Sequence, residues 1–306
     1  MKKEKYVVAV GPVCIDEYYS ADAWVAEGDK GVVRPETNTV GGMIPNAACV
    51  FAGYGVKTYF FDVMNDGPLS QQMLQNLREY HLDVSPVYFD NTMSDSKCII
   101  VLTPGDRTIL VANSNKPSVK LSGERLELFR GASYIYTTVG DFAGFQDAVE
   151  LADDLKAHGV QLVFDIERSN FDKTGEELFK RADVLFFNQY GFEKYCDGEN
   201  AQAVYQRLFD WGVKIITVTL GKDGSYTKTP TDEARAYAID LPVVDPTGAG
   251  DTFNSSFVRC ILEGMDIHKA AEFANMAASY SVTQMGPKGG VSSVEHIEEM
   301  LKQHCK

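Results

Sequence analysis

The run Asp245-Pro-Thr-Gly-Ala-Gly-Asp-Thr-Phe253 concentrates more potential chemistry than any other stretch of this 306-residue chain. It follows an apolar segment, Tyr237–Val243, predicted as a strand, and leads into a helical pattern that begins near Asp251. Gly248, Ala249 and Gly250 let bare backbone approach a ligand, and a helix opening there points N–H groups and its positive dipole end at that ligand. An anion is favoured in such a place. A carboxylate set there, Asp251, would compete with the anion if it were only structural. Beside a phosphoryl acceptor it makes sense as a general base. It takes a hydroxyl proton while the amides of Gly248, Ala249, Gly250 and Asp251 stabilise the transferring group. The alternative is that Asp251 caps the helix, a position aspartate favours.

Other chemistries lack their residues. There is no Gly-x4-Gly-Lys-Ser/Thr, since Gly221-Lys222 lacks both flanks, and there is no protein-kinase catalytic loop or Gly-x-Ser-x-Gly elbow. His81, His158, His268, His296 and His304 have no metal or triad spacing. The six cysteines (Cys14, Cys49, Cys98, Cys196, Cys260, Cys305) include no CxxC pair, which argues against zinc ligation and thioredoxin-like redox work. They read as reduced, mostly buried thiols of a cytoplasmic protein. A net charge of −14 disfavours nucleic-acid and anionic-membrane partners, whose phosphates attract clustered Lys and Arg. The N-terminal apolar stretch Tyr6–Ile15 reads as a buried strand rather than a signal peptide, because Glu4 interrupts the basic residues and Asp16-Glu17 follows at once.

The elements that would position the motif alternate along the chain. Strands are predicted at Tyr6–Gly11, Lys57–Val63, Cys98–Leu102, Thr108–Ala112, Tyr134–Val139, Val160–Asp165, Asp183–Asn188 and Lys214–Thr219. Runs such as Val184-Leu-Phe-Phe187 are apolar throughout, as strands covered on both faces require. Helical periodicity marks Leu69–Tyr80, Phe145–His158, Ala201–Trp211, Asp251–Glu263, Lys269–Thr283 and Glu295–Gln303. This alternation predicts an α/β fold with a mainly parallel sheet between helices. Asp16–Val40 contains no good helix, and Ser96–Asn113 reads as a hairpin about Pro104-Gly105-Asp106. Both break the rhythm, as a small separate β-flap or as edge strands.

The nine-residue run closely resembles the C-terminal signature of the ribokinase-like (PfkB) carbohydrate and nucleoside kinases, and the resemblance extends over essentially the whole chain. Val8-Ala-Val-Gly11 followed by Ile15-Asp16 resembles the family's first strand and substrate-binding aspartate. Gly41-Gly42-Met-Ile-Pro-Asn46-Ala-Ala48 resembles the Gly-Gly…Asn-x-Ala motif that lines the sugar site. Thr219-Leu-Gly221-Lys-Asp-Gly224 is similar to the nucleotide-binding turn, and Asn275 matches a helix asparagine near the nucleotide. Taken alone, Asp16 could be a turn residue, Gly41 and Gly42 an ordinary loop, and Asn46 a helix cap. The sequence departs from the family at Asn188-Gln-Tyr-Gly191, where Gly191 stands in place of the glutamate of an Asn-x-x-Glu motif that helps order magnesium; Glu193 is the nearest substitute. Asp165-Ile-Glu-Arg168 does not reproduce the family's Asp-x-Asn-x-Arg, which leaves Arg168 as a phosphate or sugar contact or a surface ion pair. Asp141 is a second sugar ligand or a helix cap.

The resemblance implies a three-layer α/β/α domain over 1–306 with a small β-sheet lid, its strands inserted at about 17–39 and 96–113. It implies transfer of the γ-phosphoryl group of MgATP to a hydroxyl of ribose, fructose, 2-keto-3-deoxygluconate or a related sugar. A nucleoside kinase, or a non-catalytic sugar- or nucleotide-binding regulator, is the alternative. Asp245, Thr247 and the Gly286–Gly290 turn match the place where some members hold potassium. Many relatives dimerise through the lid, so a homodimer is expected. Arg34, Lys97 and Arg107 fall in the lid, as contacts for an acidic sugar or as solvated charges.

Overall fold

The computed structural model describes residues 4–112, 114–166 and 173–304. Arg168 and Cys305, with the Asn113 end of the second lid segment, lie outside the described residues. The chain starts with β1 (Tyr6–Val10), β2 (Cys14–Ser20), β3 (Arg34–Gly41), α1 (Met43–Gly53) and β4 (Lys57–Phe61). Next come β5 (Val63–Met64), α2 (Pro68–Glu79), β6 (Tyr88–Phe89), the hairpin of β7 (Lys97–Thr103) and β8 (Asp106–Ala112), and α3 (Gly123–Gly131). The alternating stretch follows: β9 (Tyr134–Thr138), α4 (Val139–Ala143), α5 (Ala148–Ala157), β10 (Gln161–Ile166), α6 (Lys173–Phe179), β11 (Val184–Asn188), α7 (Gln189–Cys196), α8 (Ala201–Asp210) and β12 (Ile215–Thr219). Two short strands, β13 (Ser225–Lys228) and β14 (Glu233–Ala236), precede α9 (Ala249–Leu262), α10 (Ile267–Ser281) and α11 (Val294–His304).

The large sheet has the order β14-β13-β12-β11-β10-β9-β1-β4, parallel except where β13 and β14 turn back. Its central strands β1, β9, β10 and β11 are buried on both faces. In β1, Val7 and Ala9 point into one core with α1, α9 and α10, while Val8 and Val10 point into the other, as the two-residue strand period requires. Phe186 of β11 packs edge-on against Phe257 of α9 with ring centres 5.6 Å apart, which holds the helix that carries Asp251. Truncating Phe257 to alanine would cost roughly 3–5 kcal/mol.

The segments that broke the alternation form a separate four-stranded sheet, β3-β2-β7-β8. The β7–β8 hairpin turns at Pro104-Gly105, with Gly105 at φ +95°. Tyr237–Val243, predicted as a strand, is irregular instead. Tyr237 and Val243 are exposed there, so its apolar content reflects the lining of a cavity, not a buried strand.

Candidate active site

Helix α9 begins two residues before Asp251, so Asp251 is its third residue and Gly248 the capping position. Gly248 has φ +81°, and a Cβ built there would lie 2.1 Å from the Pro287 carbonyl oxygen. Only glycine fits. Asp245 ties the two turns together: its Oδ1 accepts the Thr247 N–H at 2.9 Å and its Oδ2 the Gly286 N–H at 3.0 Å. Burial alone would raise its carboxyl, but the amides of Thr247 and Gly286, with Arg107 nearby, outweigh that and hold it below the ordinary carboxylate range. A helix start leaves its first amides without helical acceptors. Thr252 N donates to Gly248 O at 2.9 Å, and Ala249 N reaches back to Pro246 O at 3.3 Å.

Asp251 meets the N-terminal half of the chain directly. Asn46 lies inside α1, not at its cap, and its Nδ2 donates to Asp251 Oδ2 at 2.9 Å. Asn46 Oδ1 is buried without a partner, which suits a ligand hydroxyl that needs an acceptor. Behind this pair, Asp165 accepts from Tyr136 Oη at 2.9 Å and from Asn254 Nδ2 at 2.7 Å. Burial and the carboxylates of Asp165 and Asp251 push the Tyr136 hydroxyl far up, so it stays a donor. Sequence reasoning missed this layer. The available signal was Asn254, three positions after Asp251 and therefore on the same helix face.

Gly41 and Asp16 are in contact: a Cβ on Gly41 would lie 2.1 Å from Asp16 Oδ2. Burial raises the Asp16 carboxyl, against hydrogen bonds from Cys14 and Cys98 and the nearby Lys288 ammonium. Gly42, at φ +114°, has Pro12 O 2.5 Å from its Cβ position and caps α1. Asp141 adjoins Gly11, where a Cβ would lie 3.1 Å from its Oδ2. It is in α4, paired with its cap Thr138 (Oγ1 to Oδ2, 2.8 Å), and it lines a small cleft with Asp62 and Lys116. Lys116 donates to the fully buried Asp62. Burial raises both carboxyls.

Thr219, Gly221, Gly224, Ala249, Gly250 and Asn275 line one cavity of about 630 Å³, walled mainly by apolar side chains such as Ile239, Leu241 and Val282. Asn275 is itself engaged, its Nδ2 donating to Ser225 Oγ and Ala271 O, both at 2.8 Å. Asn188 sits at the exposed end of β11, in register with Thr219, and its Oδ1 accepts the Gly191 N–H at 2.6 Å. Glu193 accepts from Gln189 at 3.0 Å. A second cavity, about 900 Å³, lies between β3, α2 and the 284–291 turn, but neither Asp251, Asp16 nor Thr219 lines it. Of the lid charges, Arg34 pairs with Asp22 and Lys97 with Glu17.

This site joins an anion-binding helix start, a carboxylate at its third residue and an apolar slot alongside. The model of the pfkB family carbohydrate kinases matches residues 4–293. The chain belongs to that family, whose members are phosphotransferases with an alcohol acceptor. It is 26% identical over 317 residues to the 5-dehydro-2-deoxygluconokinase of Geobacillus kaustophilus, across 97% of this chain and 93% of that protein. It is 42% identical over 299 residues to the ribokinase of Bacillus subtilis, across 96% of this chain and 99% of that protein. The structure of Arabidopsis thaliana ribokinase complexed with ribose and ATP matches with a TM-score of 0.84 at 22% identity, over 97% of this chain and 99% of that one. That likeness establishes the fold: three α/β/α layers with a small separate sheet.

Proposed function

We propose that this kinase transfers the γ-phosphoryl group of ATP to a hydroxyl of a small sugar, with Asp251 as general base. The acceptor class is ribose, fructose, 2-keto-3-deoxygluconate or a close relative. The observation that carries the reading is the Asn46–Asp251 hydrogen bond at the opening of α9, with the buried Asn46 Oδ1 still unpartnered beside it. Asn46 holds the carboxylate in place and offers an acceptor to a sugar hydroxyl. Asp16, against Gly41, would accept from further hydroxyls, with Asp141 as a second sugar ligand. Asp251 takes the hydroxyl proton as the sugar oxygen bonds to the γ-phosphorus, and the bond to the β-phosphate oxygen breaks to release ADP. The amides of Gly248, Ala249, Gly250 and Asp251 stabilise the charge on the transferring group.

The adenosine half would lie in the apolar cavity beside Thr219, Gly221 and Gly224, with Asn275 bracing its wall. Asn188 and Glu193 supply the oxygen donors that magnesium takes, and they would hold its water shell beside the phosphates. Magnesium would neutralise charge on the phosphate oxygens. Asp245 and Thr247 would sit beside a potassium ion. The four-stranded sheet would act as a lid, excluding water and limiting hydrolysis of ATP.

The test is ADP release from MgATP, with potassium present, across a panel of sugars, sugar acids, sugar phosphates and nucleosides, with Asp251→Asn in parallel. Turnover with a sugar should fall by about 10²–10⁴-fold in the variant while ATP binding survives. Near-normal turnover in Asp251→Asn would remove the proposed base, and turnover with nucleosides alone would remove the proposed acceptor class.

A further inference from the structure

Three residues far apart in sequence converge on one face of the small sheet. Cys14 and Asp16 are two positions apart on β2, so they share a face. The parallel pairing of β2 with β7 sets Cys98 directly beside Asp16. Cys14 Sγ lies 3.4 Å from Asp16 Oδ1 and 3.6 Å from Cys98 Sγ. The three donor atoms lie within 4.8 Å of one another, and all three residues are only partly buried, so an ion can reach them. Tetrahedral zinc, with Zn–S about 2.3 Å and Zn–O about 2.1 Å, needs S···S and S···O edges of about 3.8 and 3.6 Å. Without an ion, the observed edges are already within a few tenths of an ångström of these values.

We propose that Cys14, Asp16 and Cys98 bind a thiophilic divalent cation of the zinc class, and that its binding withdraws Asp16 from the sugar. The second half rests on the reading of Asp16 as an acceptor ligand given above. In the absence of the ion, the two thiols share a sulfur–sulfur hydrogen bond. On binding, both S–H bonds break and their protons pass to solvent. Two metal–sulfur bonds and one metal–oxygen bond form, and no electron changes hands. Two thiolates and a carboxylate around a divalent ion leave one negative charge. The Lys288 ammonium, within electrostatic reach of Asp16 and Cys14, offsets it. A Cys14–Cys98 disulfide fits less well. The two residues are diagonal neighbours, and diagonal neighbours in a sheet sit roughly 7 Å apart, past the usual disulfide span.

The experiment is titration of the reduced full-length protein with Co²⁺, followed by thiolate-to-cobalt charge-transfer absorption. One equivalent should develop the bands, Zn²⁺ should abolish them, and Cys14→Ser and Cys98→Ser should each lack them while keeping the wild-type melting temperature. No bands in the wild type, or bands that survive in both variants, would overturn the site. A saturating acceptor from the ADP-release panel should weaken the bands. Zn²⁺ inhibition of turnover should weaken at least about tenfold in Cys98→Ser, which leaves Asp16 in place. Bands indifferent to acceptor would leave the cation site standing and overturn Asp16 as an acceptor ligand.

Discussion

Gly248 and Gly250 stand two residues apart on one loop, yet a methyl group would meet different surroundings at each. At Gly248 it meets the Pro287 carbonyl oxygen at 2.1 Å with φ at +81°; at Gly250 it meets no protein atom within 4 Å. Gly248→Ala should therefore carry roughly 1–3 kcal/mol of backbone strain, together with the clash, and lower both Tm and turnover. Gly250→Ala should leave Tm unchanged and lower turnover by about 10²-fold, because its methyl points toward the cavity where phosphate would lie. Melting curves alongside kinetics on the two variants check this, and equal Tm losses would contradict it. At this scale the sequence singles out Asp251, because a carboxylate beside a Gly-Ala-Gly turn would compete with an anion there if it were only structural. It was silent about the partner of Asp251. Asn46 lies 205 residues away, and no local pattern encodes a contact that only the packing of α1 on α9 creates.

Among the elements, the 245–247 loop and the 284–290 turn depend on one side chain. Asp245 is held below the ordinary carboxylate range, so the stability it contributes is fully present above the usual aspartate value of about 3.9. That stability is lost as pH falls through its own lower value. Asp245→Asn should lower Tm at pH 7, and the deficit should shrink as pH falls below the usual aspartate value and through the lower one of the wild-type carboxyl. A deficit that is constant over this range would mean that the charge of Asp245 is immaterial. If the loop also holds potassium, turnover in K⁺ should exceed that in Na⁺ at equal ionic strength, and equal rates would sink that assignment. The continuous apolar strands were legible because burial on both faces leaves an uninterrupted β-branched and aromatic run. The strands β13 and β14 were not. In Ser225-Tyr-Thr-Lys228 the residues alternate between a buried face and the half-buried face against α8, in Glu233-Ala-Arg-Ala236 between α10 and solvent, and four residues are too few to show a period. Tyr237–Val243 misled for the opposite reason, since a ligand slot needs apolar side chains as much as a core does.

For the whole molecule, the small sheet poses a question of exposure. Ile109 and Val111 of β8 are 50% and 76% exposed, and register pairing through Ile100 and Cys98 puts them on the face that carries Asp16. Two isolated apolar residues would be unremarkable on a surface, but Leu102 of β7 is exposed on the same face, and Ile99 and Leu110 are exposed on the opposite one. A second copy docking on the Asp16 face would cover Ile109, Val111 and Leu102. Light scattering should give the mass of a dimer, and Val111→Lys should shift it toward the monomer. A monomer in the wild type would reject the arrangement.

The hydrogen bond that joins Asn46 to Asp251 also bears on the order in which the protein is made. A nascent polypeptide leaving the ribosome presents Asn46 a full 205 residues before the Asp251 that it binds. Gly248 is then covered by Pro287, and Thr252 by Gly290, later still. A chain that stops short of Gly248 therefore lacks the proposed base and its loop, and would have no means to hydrolyse the cell's ATP.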